Sequence, residues 1–247
     1  TLSTFTSDTI RQYMEKYYFP ENIVISVAGN VTNDLLLHIE KLFGRYERTD
    51  KAMETALTNP TFHSGRFVKE RDVEQSHLAI SYPAIGIKHP DLNSFIALNN
   101  IIGGNMSSRL FQEVREERGL AYTIFSYQSC YADVGAFTIY GSTNNQQLTI
   151  MHETINETLQ KVRTEGIKES ELSNAKEQLK GSFVLGLEST NSRMSRNGRN
   201  ELIHGRHKTI DETIAEIDQV SMDKVDRLIE SIFSVDPAVS IIGQGVK

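Results

Sequence analysis

The chain has 247 residues, a formal net charge of −6 and one cysteine, with 38% hydrophobic and 23% charged residues. That composition is ordinary for a globular protein of one large or two medium domains. It argues against a general nucleic-acid binder, which needs local positive charge, and it rules out an intrachain disulfide. No run of about eighteen apolar residues occurs, so no membrane span is expected. The lone Cys130, set in a strand-like stretch, reads as a small core residue, and cysteine usage together with the lack of an export signal points to the cytoplasm. The first residue is Thr1 rather than Met, and the expectation is a processed, truncated or partial chain.

In chain order, Ser7–Tyr18 reads as a helix capped by Ser7 or Asp8, with Ile10, Tyr13, Met14 and Tyr17 on one face and Pro20 stopping it. Asn22–Ala28 is a short apolar run ending at Gly29 and reads as a buried strand. Thr32–Phe43 is a second capped helix whose buried side is Leu35, Leu36, Ile39, Leu42 and Phe43. The polar stretch after Gly44, with Pro60, lacks periodicity; residues 48–65 read as a linker. Beyond it come strand-like pieces at Phe67–Val68 and His77–Tyr82, then a buried helix over Asp91–Ile102.

Ser107–Tyr122, SSRLFQEVREERGLAY, is the stretch the chain is organised around. Two serines after Gly103-Gly104 offer a helix cap. Leu110, Phe111 and Val114 make an apolar face, and Gly119 supplies a C-cap. The β-branched and aromatic run Leu120–Tyr131 then predicts a strand. This places Arg115 in the last helical turn and Tyr122 at the head of the strand, so a guanidinium and a phenol can face one ligand. The alternative is a charged helix end beside an ordinary strand tyrosine. Gly135–Tyr140 pairs with the preceding strand across Ala132-Asp133. Helices follow over Gln147–Thr164, Lys168–Leu187, Ser189–His204, Ile210–Ile217 and Ser221–Phe233, with a last strand at Ala238–Ile242. The fold class is α+β, a mixed or antiparallel sheet with helices packed on one face.

Ser7–Asn30 and Ser221–Gln244 match as a repeat. Ser7 aligns with Ser221, Phe19 with Phe233, Ser26 with Ser240 and Gly29 with Gly243, all at one offset of 214 residues. Both copies are a helix followed by an apolar strand. If the repeat is real, the first copy lacks roughly 150 residues in front of it, about the size of the segment before the second. The chain then divides into residues 1–47, the tail of a first domain, residues 48–65, a linker, and residues 66–247, a complete homologous second domain.

The residues themselves offer no complete catalytic site. Seven histidines are present. His152-Glu153-Thr154-Ile155-Asn156 comes nearest to a helical zinc motif, but Asn156 stands where the second histidine belongs. His204 and His207 sit at a helix end around Gly205, a poor preformed site. His77 opens a strand and reads as a cross-strand polar group. Arg193, Arg196 and Arg199 share a helix face that reads as solvated and paired with nearby Glu. Neither a nucleophile elbow nor a phosphate-binding loop occurs.

SSRLFQEVREERGLAYTIFSY resembles the second-domain signature of the pitrilysin/insulinase family of zinc metallopeptidases, in its bacterial branch of processing proteases related to the mitochondrial processing peptidase. HLAISYPAIGIKHPDLNSFIALNNIIGGNMSSRLFQ and DVGAFTIYGSTN extend the likeness on either side. FTSDTIRQYMEKYYFPENIVISVAGNV resembles the end of the family's first domain. The resemblance implies two homologous α+β domains facing each other across a chamber. Zinc and a general-base Glu would come from a His-x-x-Glu-His motif in the first domain. It implies that Arg115 and Tyr122 contact the substrate backbone and position the scissile carbonyl. No His-x-x-Glu-His occurs here, so no metal ligand is assigned in this chain, and the chain alone is expected to be inactive although the intact protein would be a zinc metalloendopeptidase. The implied partners are a peptide substrate and a zinc-bearing N-terminal segment or separate chain, with a homo- or heterodimer compatible and no nucleic acid or membrane. Two other readings stay open: a non-catalytic partner subunit that lends Arg115 and Tyr122 to another chain's zinc, and a peptide- or protein-binding module.

Overall fold

The structure is a computed structural model that describes residues 2–46 and 60–245. In chain order its helices and strands are α1 (Ser7–Tyr17), α2 (Asn33–Phe43), β1 (Gly65–Glu70), β2 (Ser76–Ile85), α3 (Leu92–Ile102), a π-helical segment (Phe111–Glu117), β3 (Thr123–Cys130), β4 (Val134–Thr143), α4 (Leu148–Glu165), α5 (Glu169–Gly186), α6 (Thr190–His204), α7 (Ile210–Asp218), α8 (Met222–Phe233) and β5 (Ala238–Gly243). Two compact units form, one from residues 60–182 and 210–245, the other from residues 2–46 and 183–209. Residues 48–59 of the expected linker lie outside the described residues.

The larger unit is built on a five-stranded mixed sheet of order β1-β5-β2-β4-β3, in which only the β1–β5 pair is parallel. Period-two alternation decides its two faces. In β2, Ser76, Leu78, Ile80 and Tyr82 are buried and the residues between them are less so. Opposite them, Gly141, Ile139 and Phe137 of β4 and Ile241 and Val239 of β5 continue the buried face. Helices α3, α4 and α8 cover that face. Helix α8 shows why: Val225, Leu228, Ile229, Ile232 and Phe233 recur at helical spacing, and all are buried. Phe233 meets Tyr82 and Phe137 edge-on, with ring centroids 5.0 and 5.5 Å apart. The α+β class with helices on one sheet face is therefore observed. Pro83 is tolerated in β2 because β5 pairs only as far as Ser81, so the strand has one neighbour there.

On the opposite sheet face His77 Nδ1 and the Tyr140 hydroxyl lie 2.7 Å apart, the cross-strand polar contact expected of His77. Phe125 packs near Tyr140 and Tyr127 on the same side. The β3 edge is closed in its middle: Ser126 N–H donates to the Gly103 carbonyl at 2.9 Å, and Ser126 Oγ donates to Asn99 Oδ1 at 2.8 Å. A Cβ on Gly103 would stand 2.6 Å from Ser126 Oγ, so only glycine permits this approach.

In the smaller unit, α1 starts from a capping box in which Thr6 and Thr9 bond reciprocally, so the cap is Thr6 rather than Ser7 or Asp8. Residues 23–28 do not form the expected buried strand. No strand among the described residues pairs with them, and Ile23, Ile25 and Val27 are exposed. Strand propensity without a neighbouring ladder leaves the run unpaired. The expected buried side of α2 is likewise uncovered at Leu35, Leu36, Leu42 and Phe43. Two of the arginines of α6 donate to backbone carbonyls. Arg193 Nε donates to the Leu187 carbonyl and Arg196 Nη2 to that of Lys208 at 2.6 Å.

Candidate functional site

The turn before the central helix is built around Asn105, and neither serine side chain caps the helix. Asn105 Oδ1 accepts from Ser107 N–H at 2.7 Å, and its Nδ2 donates to the Asn100 carbonyl at 2.8 Å. Ser108 Oγ donates to the Asn105 carbonyl at 2.6 Å. The helix then widens into a π-helical segment over Phe111–Glu117 instead of the α-helix that the pattern predicts. Such widening is frequent at functional sites. Leu120 N–H reaches back to the Val114 carbonyl at 2.9 Å, spanning six residues where an ordinary glycine cap spans five. Gly119 takes a φ of 59°, as expected of the residue that reverses the chain. Leu120 and Ala121 are buried, Thr143 Oγ1 donates to the Leu120 carbonyl, and Tyr122 emerges one residue before β3.

Three arginines on this segment have different fates. Arg109 is locked: Nε and Nη2 donate to the two carboxylate oxygens of Glu171 at 2.7 Å each, and Nη2 also reaches the Gly166 carbonyl at 3.0 Å. Arg109 holds the Glu171 carboxyl below the usual carboxylate range, reinforced by the Lys168 N–H. Arg118 is locked too, donating to Glu113, Thr154 Oγ1 and Glu157 at 2.9–3.1 Å. Arg115 is held differently. Its guanidinium carbon lies 4.8 Å from the Phe111 ring centroid and 4.9 Å from that of Tyr122. Its only ion-pair contact among the described residues is Nε to Glu116 Oε1, at 3.7 Å. Its side chain is 35% exposed, and Tyr122 is 77% exposed.

The structure thus brings Arg115 and Tyr122 together across the Gly119 turn. It adds Phe111, which the sequence reading treats only as part of an apolar stripe. The signal for it is the i, i+4 spacing of Phe111 and Arg115.

The histidines make no comparable cluster. Among the described residues no three His, Cys, Asp or Glu side chains come together in a way that could hold a metal ion, so the residues present do not fit zinc. On α4, burial, and after it the Arg66 charge, depresses the pKa of His152. His204 ends α6 and is exposed, as is His207. Cys130 is partly buried and packed against the core. No helix among the described residues is long and apolar enough to cross a membrane.

The family model of the peptidase M16 inactive domain matches residues 4–179. The chain is 48% identical over 242 residues to Uncharacterized zinc protease YmxG of Bacillus subtilis, covering 98% of this chain and 59% of that one. It is 32% identical over 252 residues to Uncharacterized zinc protease SCO5738 of Streptomyces coelicolor, covering 98% and 54%. The chain therefore spans little more than half the length of these relatives. A protease from Helicobacter pylori superposes with a TM-score of 0.82 at 21% identity, over 98% of this chain and 59% of that one. A peptidase M16 inactive domain from Pseudomonas fluorescens gives 0.67 at 22% identity, over 74% and 44%. The two solved structures share the fold, and the family model and curated relatives settle the lineage: the chain belongs to the peptidase M16 family, the zinc proteases that its Ser107–Tyr122 stretch resembles, and carries that family's inactive domain.

Proposed function

We propose that this chain is the substrate-positioning part of an M16 zinc endopeptidase that cleaves peptides in a chamber between two homologous domains. Residues 66–247 are the second domain, residues 48–65 the linker, and residues 1–47 the tail of the zinc-bearing first domain, whose preceding part or a separate partner chain supplies the metal. The repeat supports the division, because α1 coincides at the 214-residue offset with the first ten residues of α8.

The observation that carries the reading is the contrast among the three arginines. Arg109 and Arg118 spend their donors on carboxylates, whereas the terminal nitrogens of Arg115 donate to no group among the described residues. They are left for a ligand. A guanidinium and a phenol side by side are both donors, and the fitting acceptor is the carbonyl oxygen of a peptide backbone. As that carbonyl is attacked, charge grows on its oxygen, and fixed donors stabilise it more than they stabilise the ground state.

In the whole protein, Arg115→Ala is expected to lower kcat/KM on a quenched peptide about 10²-fold, the loss typical of removing one such donor, with zinc content unchanged. Wild-type turnover in that variant would refute the role.

A further inference from the structure

We propose that Phe111 is a positioning residue: its ring fixes the plane of the Arg115 guanidinium so that the arginine is held without spending its donors. The proposal rests on the substrate role of Arg115 given above. A carboxylate partner holds an arginine through its N–H groups, as Glu171 holds Arg109, and those N–H groups are then unavailable. An aromatic ring holds it through its face. The cation is attracted to the π cloud, while all five N–H bonds lie in the guanidinium plane and stay free.

The geometry at Arg115 is of the second kind, with two rings at 4.8 and 4.9 Å and one long contact to Glu116. The two rings differ. Tyr122 is the most exposed aromatic side chain of the segment and free to turn toward a ligand. Phe111 is half-buried and packed against the core, so it is the fixed wall. It sits one helical turn before Arg115 on the π-helical segment, which Arg109 anchors at the front and Arg118 at the back. The segment is rigid at both ends, and the one arginine between them leans on a ring.

The test compares Phe111→Leu, which keeps apolar volume but removes the π face, with Phe111→Tyr, which keeps both. In the whole protein Phe111→Leu should lower kcat/KM on a quenched peptide about fivefold, the worth of one partly exposed cation–π contact. Phe111→Tyr should restore it, and Phe111→Leu should add nothing in an Arg115→Ala background. Additive losses would mean that Phe111 acts through packing alone and would overturn the proposal, as would wild-type kinetics in Phe111→Leu when Arg115→Ala is impaired. The hold itself is read without turnover, on the Arg115 Nε–Hε resonance. Ring currents should place it upfield in the wild type, and Phe111→Leu should move it back. A resonance unmoved by Phe111→Leu overturns the proposal even where Arg115→Ala proves catalytically silent, the separate result that would remove the substrate role.

Discussion

Helices α1 and α8 align at the constant offset of the repeat and are both strongly amphipathic, yet they end in opposite environments. Helix α8 buries Val225, Leu228, Ile229, Ile232 and Phe233 against the sheet and is followed by the paired strand β5. Helix α1 buries nothing, and the apolar run after it finds no ladder. Periodicity and capping make each helix; burial requires something on the other side. The difference separates what a segment specifies by itself from what its neighbours must supply.

The sharpest test of that contrast is truncation. Phe233→Ala should destabilise the sheet unit by about 4 kcal/mol in chemical denaturation, through lost transfer energy and a residual cavity between Tyr82 and Phe137. Truncation of an exposed apolar residue of α1, Ile10→Ala, should stay within about 0.5 kcal/mol. A loss at Ile10 comparable to that at Phe233 would mean that α1 is covered after all, and the contrast would collapse. The same substitution made in a longer chain carrying a preceding segment is the sharpening experiment, since a rise in its cost would measure the covering directly.

Next in size is the Arg109–Glu171 pair, both side chains about three-quarters buried. Glu171→Gln should cost about 2 kcal/mol near neutral pH, as expected for a charge-assisted, two-point contact. Because Arg109 depresses the carboxyl in the folded state, this stabilisation is complete above the ordinary carboxylate pKa and fades as pH falls through the lower folded value. The gap between wild type and Glu171→Gln should therefore close in acid; a gap that persists there would assign the loss to packing. Thr6→Ala, which removes the capping box of α1, should cost about 1 kcal/mol of helix stability, read as lost helical ellipticity. Smallest is His152. Its folded pKa is lowered, so the fold prefers the neutral ring, and stability is complete above the unfolded value of 6.5 and falls as pH drops below it. His152→Gln should flatten the stability profile on the acid side of 6.5, and an unchanged slope would show that another group controls it.

How much of this was legible in the residues follows from the same contrast. Element existence and order were readable because helix periodicity and strand alternation are local, and the Arg115–Tyr122 approach was readable because Gly119 forces a reversal between them. The buried strand at residues 22–28 was misread because an apolar run says nothing about whether a neighbouring strand is present. The π-helical segment was invisible for another reason: over seven residues, one widened turn leaves the apolar positions nearly where an α-helix would put them. Phe111 was hidden within that pattern, since a ring that packs on the core and a ring that holds an arginine occupy the same stripe. Asn105, the residue around which the turn is built, was overlooked in favour of the two serines beside it, which are equally good caps by type.

The glycine fitted against Ser126 governs how this sheet can grow. A strand at the end of a sheet is a template for another strand, whether of a bound peptide or of a second molecule in an aggregate. The Gly103 carbonyl already occupies the outward amide in the middle of β3, so an incoming chain cannot zip along that side without first displacing the loop. The opposite side, β1, is exposed along its length, and among the described residues it pairs with β5 alone. Among the described residues, strand exchange or ordered self-association through this sheet therefore has an open edge at β1 and an obstructed one at β3.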